Sequence, residues 1–390
     1  MMAISNKTDM KKIVFIITAL LLLLNAPTLS AQKITFSPDI LLTKDAEIAA
    51  IRDTWSSYIK DCVKSYKTKD KSFRLSYWNA QEKEIGFSDI LIDNMSEFPI
   101  YLYGELVTFN IDKYEDGFYR IRSMVIQSDS TSKNVIGVFS VYTKKENSIY
   151  KLYNHFFLEK SHLNHFTAKN INYYYPSDYT FNTKEAEEAE VFYSMLSDKY
   201  RFTPQKKLTY IIGNNLDEAN SFIGFDFSQK RSSSKSTGYY CYSNNLIFSC
   251  QVNHMHEIVH SIFISSNPAA PLLFQEGIAT YYAGTIGKDY KYHLSRLSEI
   301  IENAPDIDLS NFDELHKLTT SDTNPFYTIG AIFIEYALET GGNDKVLALF
   351  KYSDTPEGLY KAIEFELGIE LNRINSFIKY YLKKKCLSCT

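Results

Sequence analysis

From residue 253 to the C-terminus every long apolar run repeats at helical spacing, most clearly over 327–350 and 356–384. Strand-like alternation is confined to the chain before it. A chain that segregates its strands and helices in this way cannot be a doubly wound α/β protein; it predicts an α+β fold. At roughly 100–200 residues per domain, 390 residues are enough for two domains with sizeable cores. The strand-like runs are aromatic, which is where many of the 30 tyrosines and 26 phenylalanines go. Both kinds of ring suit a pleated, half-buried surface.

The first predicted helix covers 45–66, with Ile48, Ile51, Trp55, Tyr58 and Ile59 on one face. Three strand patterns follow, YLYGELVTFNI (101–111), GFYRIRSMVI (117–126) and VIGVFSVYT (135–143), separated by Gly, Asp, Asn and Ser. One helix followed by antiparallel strands predicts a small α+β domain over 32–175, similar in element order to the cone-shaped nuclear-transport-factor-2-like fold. At 173–196 the pattern restarts. Asn182 with Glu185 three residues on reads as a capping box. KLTYIIG (207–213) reads as a short buried strand, and the second domain runs from 176 to 390.

Before all of this, Lys7, Lys11 and Lys12 precede IVFIITALLLLL (13–24) and then small residues around Ser30–Ala31. A basic start, a short apolar run and small residues predict a secretory leader over 1–31, removed so that the mature chain starts near Gln32. The run is shorter than the ~20 residues that span a bilayer, so no membrane span is expected after cleavage. No cysteine precedes Cys62, so a lipid anchor at the cleavage point is not expected. Outside the cytoplasm disulfides are allowed. Cys241 and Cys250 flank a turn-like Asn244–Asn245, and Cys386 with Cys389 forms a CxxC; no motif demands either pairing. A net charge of −4 with both signs interspersed offers no basic footprint for nucleic acid.

The chemistry is concentrated in NHMHEIVHSIF (253–263). His256 and His260 are four apart, so on a helix both imidazoles reach one point one turn apart. Glu257 sits about 100° round the helix, beside that point. His254, two residues before His256, points elsewhere and is excluded as a ligand. HExxH alone also fits a structural zinc or a surface pair. Sixteen residues past His260, after a Pro-containing turn, LLFQEGIATYYAG (272–284) carries Glu276. That distance lets the first helix end, turn and return antiparallel with a third protein ligand, leaving the open fourth position of a catalytic zinc. Gly277 is expected to let two helices approach closely, and Thr280, one turn after Glu276, to hydrogen-bond a ligand imidazole.

HExxH followed by an EGxAxY-type helix resembles the gluzincin zinc peptidases, specifically the peptidase MA-like branch. The resemblance runs over roughly 183–384, through FYTIGAIFIEYALETGGNDKVLALF (326–350) and the closing helices at 358–384. It implies that His256, His260 and Glu276 hold Zn2+ and that Glu257 is general base, then acid. It also implies an oxyanion donor on the C-terminal helices, for which Tyr327 is the candidate, and an edge strand, matched by LIFS (246–249), that pairs with an extended peptide substrate. The gap before Glu276 is shorter than in thermolysin. No GxMEN-like aminopeptidase stretch is present, so an exported endopeptidase is expected. The alternative is a binding or scaffold protein whose gluzincin-like domain holds metal without turnover. No residue pattern names a partner for the N-terminal domain.

Overall fold

The computed structural model describes residues 33–68, 70–85, 104–128, 132–204, 206–229 and 237–387. The predicted leader, residues 101–103 of the first strand pattern and Cys389 lie outside them. The described chain is α+β and divides into two compact units, one of 33–78 with 104–152, the other of 79–85 with 153–387.

In the first unit the long helix α1 (Ala46–Thr68) is followed by strands β2 (Glu105–Lys113), β3 (Tyr119–Ser128), β4 (Lys133–Glu146) and β5 (Ile149–Tyr153). The short strand β1 (Lys33–Phe36) was not anticipated; it runs parallel to β2, so the sheet is mixed rather than purely antiparallel. Its strands lie in sequence order from β1 to β5. β3 alternates strictly, burying Tyr119, Ile121, Ser123 and Val125 and turning Arg120 and Arg122 the other way. Ile51, Trp55, Tyr58, Ile59 and Cys62 are buried on one face of α1, the spacing of an amphipathic helix. Trp55 Nε1 donates to Thr108 Oγ1 at 2.9 Å, and that hydroxyl lies 3.0 Å from Ser123 Oγ. The buried polar groups between helix and sheet therefore satisfy each other.

The second unit is built on a sheet in the order β10-β11-β8-β7-β6. Its strands are β6 (Asn164–Thr167), β7 (Ile171–Tyr175), β8 (Leu208–Ile212), β10 (Gly238–Cys241) and β11 (Leu246–Ser249); β9 (Phe225–Ser228) is not among them. β8 is parallel to both neighbours and buried at all five positions, as a continuous apolar run between parallel strands should be. β6 and β7, ahead of the predicted domain start at 176, hydrogen-bond into this sheet. The β7–β8 pair is parallel and needs a crossover, which α2 (Thr183–Tyr200) supplies.

Asn182 caps α2, accepting from Lys184 N at 3.1 Å and Glu185 N at 3.4 Å, while its own amide donates to Glu185 Oε1. Replacing Asn182 by Ala should cost about 1 kcal/mol of stability. Urea unfolding checks this: an unchanged midpoint would mean that the cap contributes nothing.

One sequence expectation fails in the β10–β11 hairpin. LIFS is not an edge: β11 pairs with β8 on one side and β10 on the other, and β10, GYYC, is the end strand of this sheet among the described residues. Cys241 and Cys250, whose pairing no motif demanded, do not meet. Cys241 pairs with Leu246, whereas Cys250 N bonds Thr237 O at the other end of the hairpin. Four residues of strand separate them by about 13 Å, far outside disulfide reach.

Beyond the hairpin the main elements among the described residues are helices: α3 (Met255–Ser266), α4 (Leu272–Ala283), α5 (Tyr290–Asn303), α6 (Pro325–Leu349, broken at Gly342), α7 (Pro356–Leu367) and α8 (Ile374–Leu387), with a single helical turn at Phe312–Leu315 in the longer connection between α5 and α6. One apolar cluster, running from Ile171 to Leu382, fills the space between these helices and the sheet. Among the described residues no helix is long and apolar enough to cross a membrane.

α4 and α6 touch backbone to backbone. A Cβ on Gly277 would lie 2.3 Å from Gly330 C, and one on Gly330 would lie 2.1 Å from Leu273 O. The expected close approach at Gly277 is therefore present, and its partner is a second glycine. The contact sets where α6 stands relative to Glu276.

Candidate metal centre

α3 buries Ile258 and Ile262 on one side and carries His256 and His260, four residues apart, on the other. Their rings are 4.8 Å apart and nearly perpendicular. α4 returns alongside and brings Glu276 between them. Glu276 Oε2 lies 3.3 Å from His256 Nε2 and 3.5 Å from His260 Nε2. The three side chains are 86–93% buried.

His256 is held from behind. Its Nδ1 lies 2.8 Å from the carbonyl oxygen of Gly284, which can only accept, so Nδ1 carries a proton and Nε2 is the nitrogen that faces Glu276. Thr280, expected to support a ligand imidazole, does not: its buried hydroxyl has no hydrogen-bond partner among the described residues. The C-terminal turn of α4 puts a backbone carbonyl where a side chain had been sought. Among the described residues, Nδ1 of His260 is also buried without a partner.

Burial alone would keep both His256 and Glu276 neutral. The hydrogen bond to Glu276 and the charges of Glu257 and Glu276 outweigh it and push the His256 ring up to about 9. Burial likewise works to raise Glu276, but the imidazoles of His260 and His256 hold it far below the usual carboxylate range. The pair thus shares a proton at neutral pH, between the same atoms where a divalent cation would sit. Zinc takes N and O donors at about 2.0–2.2 Å in a tetrahedron, which separates any two donors by about 3.3–3.6 Å. The Glu276 distances to both imidazoles match that spacing, and two imidazoles with one carboxylate are a zinc donor set.

Glu257, 8% exposed, is next to this cluster: one donor atom from each of His256, Glu257 and His260 lies within 4.8 Å of the others. Behind it stands Tyr210 of β8, whose hydroxyl donates to His254 O at 3.4 Å. Tyr327, in the first turn of α6, stacks on His256 with ring centres 6.3 Å apart. The negative charge of Glu276, burial and the charge of Glu257 all raise its pKa, so its phenol stays protonated and remains a donor. His254 is turned away. Its Nε2 is 2.9 Å from Thr237 Oγ1, and its ring lies against the backbone of Gly238.

The structure therefore brings together His256, Glu257, His260, Glu276 and Tyr327, all five residues singled out by sequence. The sequence reading missed the Gly284 carbonyl. The available signal for it was GTIGKD (284–289) after α4, where Gly284 and Gly287 both adopt positive φ. No protein-family model matches the chain and no curated protein matches it, so a role for this cluster rests on these side chains.

Proposed function

We propose that the chain is an exported zinc-dependent peptidase, with endopeptidase activity favoured. His256, His260 and Glu276 are its metal ligands, Glu257 its general base and Tyr327 its oxyanion donor. The observation that carries this reading is the approach of Glu276 Oε2 to both ligand imidazoles, at 3.3 and 3.5 Å. When bound, zinc supplies a Lewis acid and a water acidified to about pKa 7.

The remaining work belongs to the protein. The Gly284 carbonyl keeps the proton of His256 on Nδ1 and so keeps Nε2 available as a ligand. Glu257 takes a proton from the attacking water on its carboxylate and passes it to the departing amine. Tyr327, kept protonated, donates from its hydroxyl to the oxygen on which charge develops. Export is proposed from the basic and apolar N-terminal segment, and N-terminal sequencing of secreted protein should find a start near Gln32.

The decisive measurement is zinc per chain by mass-spectrometric metal analysis, on the parent protein and on Glu276→Ala. About one zinc in the parent and a small fraction of that in the variant are expected, since the site loses one of three protein ligands. A parent chain that stays free of zinc after reconstitution would remove the proposal.

A further inference from the structure

The second unit contains a fully buried histidine that the proposed reaction does not use. His293, on α5, makes two short contacts in opposite directions. Its Nε2 lies 2.9 Å from Thr285 O, and its Nδ1 lies 2.7 Å from Thr323 Oγ1. A carbonyl only accepts, so Nε2 carries the proton; the ring, kept neutral by burial, then accepts the Thr323 hydroxyl at Nδ1. Both ring nitrogens are used, and the tautomer is fixed.

The two groups it holds stand directly behind the site. Thr285 follows Gly284, whose carbonyl orients His256. The turn is closed by Thr285 N to Lys288 O at 3.0 Å and Lys288 N to Thr285 O at 2.9 Å. Thr323 is fully buried and precedes Asn324, whose side chain caps α6 by accepting from Phe326 N at 3.0 Å. Tyr327 is the third residue of that helix.

We infer that His293 is a positioning residue which ties the turn orienting His256 to the segment that launches Tyr327, so that the ligand ring and the donor ring keep their stacked arrangement. The inference rests on the reading of His256 as ligand and Tyr327 as oxyanion donor. It goes beyond that reading by giving one residue outside the reacting groups a hold on both.

The imidazole can be replaced one nitrogen at a time. In His293→Gln the side-chain amide N occupies about the place of Nε2 and still donates to Thr285 O, while the bond to Thr323 is lost. In His293→Asn the amide oxygen occupies about the place of Nδ1 and still accepts from Thr323, while the bond to Thr285 is lost. Zinc affinity is read by competition with a chromophoric chelator, the ligand field by Co2+ absorption, and kcat and KM on quenched fluorescent peptides. The asparagine variant is expected to bind zinc ~10-fold or more weakly, the usual effect of losing an outer support of a metal ligand. The glutamine variant is expected to keep parental zinc affinity and Co2+ spectrum and to lose kcat with little change in KM.

Parental values for both variants would overturn the inference. So would equal losses in both that follow their loss of thermal stability, because a merely structural histidine would not separate metal affinity from turnover. A parent chain that binds no zinc takes the inference down together with the proposed function. If the parent binds zinc but no cleaved peptide is found, the difference in zinc affinity between the two variants decides alone.

Discussion

Glu257→Gln is expected to bind zinc as the parent chain does and to lose peptide hydrolysis by ~10²–10⁴-fold, the usual contribution of a positioned general base. The substitution is nearly isosteric, so the buried pocket between Tyr210 and the two imidazoles keeps its shape. What disappears is the ability to accept and return a proton. The ligand set is untouched, because the close contacts to His256 and His260 come from Glu276. Metal content and hydrolysis must be measured on the same preparation. Hydrolysis at the parental rate would remove Glu257 from the chemistry, while zinc lost in parallel would make it a ligand instead of a base.

The second large effect is expected at a residue with no side chain. Gly330→Ala would put a methyl carbon 2.1 Å from Leu273 O and 2.9 Å from Gly277 Cα. Backbone atoms cannot swing aside as the end of a side chain does, so α6 must separate from α4. Overpacking typically costs 1–3 kcal/mol, and a clash between two rigid helices belongs at the upper end, about 3 kcal/mol or 6–12 °C in Tm for a unit of this size. Tyr327 lies one turn before Gly330 on α6, so the same displacement should draw its phenol away from Glu276 and His256. Thermal stability and kcat on the quenched fluorescent peptides should therefore fall together. A variant that melts with the parent would show that the glycine pair is incidental to the packing.

What was legible in the sequence divides along a physical line. α1, β2 to β4, β8 and the capped start of α2 could be read because each has a local signature: helical spacing, alternation, a continuous apolar run, or Asn182 with Glu185. The His256, Glu257 and His260 constellation was legible for the same reason, since helix geometry alone fixes the relation of residues four apart. Glu276 needed only the assumption of a turn between two helices.

What could not be read depends on partners distant in sequence. LIFS and GYYC are both short apolar strands; which of them is outermost is decided by pairing with β8, not by anything within either segment. INYYY looked like the end of one domain because nothing local announces its parallel partner 37 residues later. Gly277 announced a close approach without saying to what. The same holds for Thr280. Its spacing suited a support for a ligand ring, yet the support comes from a peptide carbonyl, and every residue has one of those.

That carbonyl changes what counts as the smallest portable version of this centre. Gly284 adopts φ 69° and ψ −168°, with Lys288 O so near that a Cβ there would be 1.9 Å away. Truncating side chains one by one would register the ligands and pass over the group that decides which nitrogen of His256 is free. Grafting HEIVH and Glu276 onto two helices of another scaffold would copy every donor atom and leave that ring able to turn over. A transplant meant to behave like the original must carry the chain from His254 through His293, turn included.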